Sequence, residues 1–260
     1  MTRPDLSSDP GCPARLVKAE ATVVACLGSS STAGKGQAFD WIGELERRPR
    51  NERFRFLNFG VGGDLAFNAL QRLPAVFACH PDKAVVLVGG NDVLALVSKK
   101  VRCFFRIWKH LPREPSPEWF HENLRAIAHC LKTEASASVG LCSLLPIGED
   151  PASANPFQSK INRRIEEYSA IIKEVAREEG VDYIPVHEVM LSQILASPGR
   201  AFTRFRFLSF YRDAFRVLIL RKSPDEVAEM NGWRFHTDGV HLNGRGGMIV
   251  ADLVQEFIDR

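Results

Sequence analysis

Five short apolar runs, separated by longer stretches of helical periodicity, constrain this 260-residue chain more than any other feature. The runs are 21–27, 54–59, 84–88, 139–145 and 181–185, and the first and third are almost continuously hydrophobic. Strands of that kind are covered on both faces, as in a parallel sheet. Between them, residues 37–47, 64–78, 118–134 and 156–179 repeat apolar side chains at helical spacing, and a final helix is expected over 244–260. Ile161, Ile165, Tyr168, Ile172 and Val175 fall on one side of the fourth helix, which opens with Asn155 as cap and Pro156 in its first turn. Parallel strands need crossover connections, and right-handed crossovers place helices on both faces of the sheet. The expected fold class is therefore α/β: a three-layer α/β/α sandwich around a five-stranded, mainly parallel sheet.

Ligands of such sheets bind beyond the carboxyl ends of the strands, so the residues that follow each strand decide the chemistry. Strand one leads into Gly28-Ser29-Ser30-Ser31-Thr32, strand two into Asn58-Phe59-Gly60-Val61-Gly62-Gly63-Asp64, and strand three into Gly89-Gly90-Asn91-Asp92. Thr237-Asp238-Gly239-Val240-His241 precedes the last helix and reaches the same edge if that helix runs against the strands.

These four blocks, in this order, resemble the SGNH hydrolase superfamily, the GDSL-type esterases and lipases, over roughly residues 21–258. The resemblance implies a flavodoxin-like arrangement and acyl transfer. It implies Ser30 as nucleophile, His241 as its base and Asp238 as the partner of the other ring nitrogen. The backbone N–H groups of Ser30 and Gly63 and the Asn91 amide are implied as the oxyanion hole. Each role answers a requirement of the chemistry. A serine hydroxyl needs a base to take its proton during attack, and the tetrahedral intermediate needs donors aimed at its developing charge. One departure stands out: the family places aspartate before the serine, where this chain has Ser29. That aspartate is not one of the catalytic groups, so the chemistry is expected to survive. The implied activity is hydrolysis of small-molecule or lipid-like carboxylic esters without metal or organic cofactor. An acyltransferase or deacetylase using the same site, or a weakly catalytic lipid- or sugar-binding relative, is the alternative.

Other sites fit the residues less well. Gly28 to Gly36 imitates a phosphate-binding loop, but Ser29 stands where the first glycine is needed and Gly36 follows Lys35 in place of Ser or Thr. Gly60-Val61-Gly62-Gly63 lacks the third glycine of a dinucleotide fingerprint. Thr32 breaks the Gly-x-Ser-x-Gly elbow of α/β-hydrolases. His236, Asp238 and His241 as a metal set have no further ligand cluster to join, and His187 and His236 are read as surface or structural residues.

Composition enters through charge. The net formal charge is +3, with 45% hydrophobic and 25% charged residues, which excludes disordered, collagen-like and disulfide-scaffold chains. Yet residues 99–113 hold six Lys/Arg and no acid, and residues 200–222 hold seven with the single acid Asp213. Those 38 residues carry +12 and leave the other 222 at −9. Within the first segment Val101, Phe104, Phe105, Ile107 and Trp108 share one side of a helical wheel. The second holds Phe202, Phe205, Phe207, Phe210, Tyr211 and Phe215 all round its wheel and is expected to bend and to pack on the first. A single domain over 1–260 is expected, with cap insertions at about 95–117 and 195–232 that flank the acyl pocket and offer contact to an anionic membrane surface; nucleic acid is not the expected partner. Six cysteines without a Cys-x-x-Cys pair, and no run long enough to span a bilayer, point to a reducing, cytoplasmic compartment. The sequence leaves the oligomeric state open.

Overall fold

The computed structural model describes residues 21–36, 38–204 and 207–260, apart from the side chains of residues 207, 208 and 210. Strand β1 (Thr22–Gly28) lies between β2 (Phe54–Gly60) and β3 (Lys83–Leu87), and β4 (Ser138–Cys142) and β5 (Asp182–Ile184) extend the sheet beyond β3. The order is β2-β1-β3-β4-β5 and every pairing is parallel. Val24 and Cys26 of β1 enter one core and Ala25 and Leu27 the other; β3 divides in the same way, Val85 and Leu87 against Ala84 and Val86. Both faces are buried, which is why a period of two reads in the sequence as an unbroken apolar run.

Among the described residues the helices are α1 (Ser30–Ala33), α2 (Trp41–Glu46), α3 (Ala66–Gln71), α4 (Leu73–Phe77), α5 (Gly90–Val97), α6 (Lys99–Trp108), α7 (Pro117–Thr133), α8 (Pro156–Glu179), α9 (Val186–Ala196), α10 (Phe207–Leu218), α11 (Pro224–Asn231) and α12 (Gly244–Ile258). One layer takes buried residues from α3 to α8, and the opposite layer is built by α2, α9 and α12. The Asn155 side chain accepts from the N–H groups of Phe157 and Gln158, as the α8 cap requires. Helix α12 starts at the carboxyl edge of the sheet and ends near its amino edge, where Arg260 pairs with Asp182 at 2.8 Å. It therefore runs against the strands and delivers the turn before it to the carboxyl edge.

Several expectations change. Residues 64–78 form two helices, because Pro74 has no N–H to continue the ladder to Leu70. Helix α2 starts only at Trp41, where Asp40 caps the Gly43 N–H; Gln37, expected to open it, lies outside the described residues. Strand β4 stops at Cys142. Of the five apolar residues assigned to one side of α6, only Val101 and Phe105 are buried. The pair sits one turn apart on a narrow stripe, while Phe104, Ile107 and Trp108 flank it and stay exposed. Among the described residues the second basic segment packs on α11, where Asp213 accepts from Asn231 at 3.0 Å, and the contact expected with α6 is not among its main ones. Phe202 is buried beside Phe157, and Tyr211 and Phe215 are exposed. Phe205 lies outside the described residues, as do the side chains of Phe207 and Phe210. No helix among the described residues is long and apolar enough to cross a membrane.

Candidate active site

The chain leaves β1 at Gly28 and turns at once into α1, the Ser29 carbonyl accepting from the N–H groups of Thr32 at 3.2 Å and Ala33 at 2.9 Å. Ser30 thus opens a single helical turn at the carboxyl edge. The Ser29 side chain makes no capping bond, so backbone contacts brace the turn. Asn58 at the end of β2 adds to the brace, donating to the carbonyls of Thr32 at 3.0 Å and Ala33 at 3.3 Å. Gly60 permits that approach, since a Cβ there would overlap the Ala33 backbone.

His241 Nε2 stands 3.0 Å from Ser30 Oγ, and His241 Nδ1 stands 2.7 Å from Asp238 Oδ2. The other carboxylate oxygen, Asp238 Oδ1, accepts the N–H groups of Val240 at 2.9 Å and His241 at 2.8 Å. The Asp238 side chain is 2% exposed and that of His241 13%. Burial opposes charge on both groups, and their mutual attraction and hydrogen bonds outweigh it. The carboxyl is held below its usual value and the imidazole above its ordinary 6.5.

A base must be neutral to accept a proton, so kcat/KM for a neutral ester is expected to fall on acidification with an inflection above 6.5. A pH–rate profile checks this, and an inflection at or below 6.5 contradicts it. The stability contribution of the His241 charge runs the opposite way to activity: it is full below 6.5 and is lost as pH rises through the elevated folded value.

Asn91, the second residue of α5, donates from Nδ2 to the Asp64 carbonyl at 2.9 Å. An amide nitrogen has two hydrogens, so this bond orients the group and leaves one donor to spare. Gly63, at φ +78°, sits directly before Asp64, and a Cβ there would run into the Trp108 ring. The loop is pinned by charge: the Asp64 carboxylate, buried, takes Arg72 at 2.8 Å and Lys109 at 2.8 Å. Lys109 also donates to the Gly62 carbonyl at 2.7 Å, and Arg72 to those of Phe59 at 2.7 Å and Gly28 at 3.1 Å. Asp92, next along α5, ties that helix to the Ala66 N–H at 3.2 Å, and burial pushes its carboxyl up to about 7.

A hollow of about 40 Å³ opens beside these groups, lined by Ser30, Asn91, Leu94, Leu144, Ile147 and Val240 among others. Of the five residues singled out from the sequence, Ser30 and Asn91 line this hollow, and His241 and Asp238 join Ser30 in one hydrogen-bonded chain outside the lining. Gly63 lies outside the lining too, one residue from the carbonyl that orients Asn91.

The remaining histidines have other tasks. His236 is buried with Nδ1 at 2.9 Å from Glu149 Oε1 and Nε2 at 2.9 Å from the Pro146 carbonyl, so neither nitrogen is open to a metal. Glu149 also accepts the consecutive N–H groups of Arg234, Phe235 and His236. Burial raises its carboxyl, but His236 and these donors overcome that and hold it below its usual value. His187 is buried too, and desolvation lowers its imidazole.

Residues 26–247 match the GDSL-like lipase/acylhydrolase family. The chain belongs to this family. Solved structures similar to this GDSL-family chain include the acetylxylan esterase Axe2 from Geobacillus stearothermophilus, with 17% identity, a TM-score of 0.62 and coverage of 93% of this chain and 95% of that one. The acetyl xylan esterase AlAXEase has 20% identity and a TM-score of 0.59 over 91% of this chain and 99% of its own. A lipase/acylhydrolase from Enterococcus faecalis has 19% identity and a TM-score of 0.56 over 91% and 94%. At these identities the likeness is one of fold. Among curated protein sequences there is no match.

Arg72, Lys109, Trp108 and Glu149 hold the site and were not singled out from the sequence as site residues. Lys109 lies within the first basic segment, and Arg72 lies eight positions after Asp64. Nothing in local spacing announces their partners.

Proposed function

We propose that this GDSL-family chain hydrolyses carboxylic esters with short acyl groups through an acyl-Ser30 intermediate. The observation that carries the reading is the Ser30–His241–Asp238 chain opening on a hollow of about 40 Å³. At roughly 10–15 Å³ of such free volume per water, the hollow takes about three waters, the bulk of an acetyl or propionyl group. Its apolar wall of Leu94, Leu144, Ile147 and Val240 suits the alkyl end. Two of the similar structures are acetylxylan esterases, which act on an acyl group of that size.

In the proposed reaction, Ser30 Oγ attacks the ester carbonyl carbon while His241 Nε2 takes the hydroxyl proton. The carbonyl oxygen becomes an oxyanion that accepts from the N–H groups of Ser30 and Gly63 and from the free hydrogen of Asn91 Nδ2. Collapse breaks the bond to the alcohol oxygen, and His241 returns the proton to it. Water then attacks the acyl-Ser30 carbonyl, its proton passing to His241, and the carboxylic acid leaves as Ser30 recovers its hydrogen. Asp238 fixes the ring tautomer and stabilises the imidazolium in both halves. Asn91→Ala is expected to lower kcat by about 10²–10³ with a small change in KM, because the donor acts on charge present only in the transition state. Steady-state kinetics on the variant reads this directly.

The decisive experiment is labelling with a fluorophosphonate probe, followed by p-nitrophenyl esters of increasing chain length. Labelling of the folded protein is expected, with kcat/KM greatest for acetate or propionate and lower by roughly tenfold or more at octanoate, whose chain exceeds the hollow. Folded protein that resists the probe overturns the hydrolase reading. Rates that hold or rise with chain length overturn the short-acyl assignment.

A further inference from the structure

A second hollow, of about 310 Å³, lies on the other side of the Asp238 turn and shares no lining residue with the acyl hollow. Its wall carries four guanidinium groups, those of Arg200, Arg204, Arg212 and Arg216, against two carboxylates, Asp213 and Asp238. Asp238 is engaged with His241 at 2.7 Å. Asp213, 1% exposed, is shared between Arg212 at 3.1 Å and Arg216 at 2.9 Å. Even with both carboxylates counted, two positive charges remain uncompensated in one concave, polar space. Among the described residues, Arg200 and Arg204 have no carboxylate partner. Arg200 is nonetheless held in place, donating to the Asn231 carbonyl at 2.8 Å and lying 5.7 Å from the Trp233 ring centroid.

Like charges gathered in a cavity repel unless something neutralises them. A guanidinium fork matches the oxygens of a tetrahedral oxyanion two at a time. The hollow is also joined to the catalytic turn. The Asn231 side chain accepts from Arg212 at 3.2 Å and Arg216 at 3.1 Å and donates to the carbonyl of Thr237, next to Asp238, at 3.0 Å. An anion seated among the arginines therefore lies against the catalytic acid's own loop.

We propose that this hollow binds a phosphate-type oxyanion, either free or carried on the ester substrate. Only the second source rests on the ester-hydrolase reading above, and the test separates the two. Calorimetric titration of Ser30→Ala with inorganic phosphate at low ionic strength measures binding without turnover. Saturable binding is expected, weakened roughly tenfold by Arg204→Gln, further by Arg204→Glu, and partly recovered by Arg204→Lys. Arg204 is exposed and has no ion-pair partner among the described residues, so these variants leave the packing intact, and near-ultraviolet circular dichroism verifies it. No binding by Ser30→Ala, or binding that all three Arg204 variants leave unchanged, overturns the proposal. Fluorophosphonate labelling of the unaltered protein is scored separately, so a failed pocket and a failed hydrolase are told apart. The source follows from acetate esters of ω-hydroxyalkyl phosphates of graded length compared with their uncharged methyl ethers. A preference of about tenfold or more in kcat/KM that vanishes at high salt assigns the anion to the substrate. Equal rates with phosphate binding intact assign it to a free ion.

Discussion

Ser30→Ala is expected to lower kcat for a short-chain ester by on the order of 10⁴–10⁶ and to abolish fluorophosphonate labelling, the range found when the nucleophile of an unrelated triad is removed. What survives should be modest catalysis over water, because the Asn91 amide and the backbone donors still polarise a bound carbonyl. The neighbouring Ser31 does not replace the lost hydroxyl. It stands one residue further along α1, about 100° around the helix, and its carbonyl is already held by the Trp41 indole N–H at 2.9 Å. The substitution leaves the fold in place, since the bonds that brace the turn come from the Ser29 carbonyl and from Asn58. Active-site titration with an unchanged thermal midpoint reads the effect. Labelling retained in Ser30→Ala would move the nucleophile elsewhere.

The second large effect is expected from Asp238→Asn, about 10⁴ in kcat. The physical reason lies in the two carboxylate oxygens. Oδ1 accepts two backbone N–H groups, so an asparagine keeps its oxygen there and turns its NH₂ toward His241 Nδ1. That nitrogen must then accept, and the ring proton moves to Nε2, the atom that has to receive the Ser30 proton. The attraction that holds the imidazole above 6.5 disappears as well, so the acid limb of the pH–rate profile should move down. Kinetics across pH measures both changes together. A loss smaller than about tenfold, with the profile unmoved, would show that Asp238 does not set the tautomer.

The parts of the fold that read clearly from sequence are those governed by burial on both faces. Val24, Cys26, Val85 and Leu87 face one core while their neighbours face the other, and nothing polar interrupts them. Helices α5, α9 and α11 did not read as helices. Helix α5 follows β3 through Gly89-Gly90 with no side-chain cap, and α9 begins after Pro185, also without one. Helix α11 did carry a signal, because Ser223 and Glu226 form a reciprocal capping box before an apolar turn. Ser30 and the Asp238–His241 pair were legible as candidates because Ser30 follows directly on a strand end and Asp238 and His241 stand three residues apart in the turn before α12, where spacing along the chain is spacing in space. Arg72 on Gly28, Lys109 on Asp64 and Glu149 on His236 join residues 44, 45 and 87 positions apart, which no local pattern reports. The same holds for the arginines around Asp213, which the sequence shows only as a basic run.

Ser30 and His241 rest on different foundations. Ser30 grows directly from the end of β1, an inner strand anchored by the ladder on both sides. Asp238 and His241 ride on a loop outside the sheet, whose approach is held in part by one carboxylate, Glu149, gripping three consecutive amides and the His236 ring. The 3.0 Å approach of His241 to Ser30 thus depends in part on a peg remote from both. Damage at position 149 is therefore expected to displace His241 from Ser30 while leaving Ser30, Asp238 and His241 themselves intact.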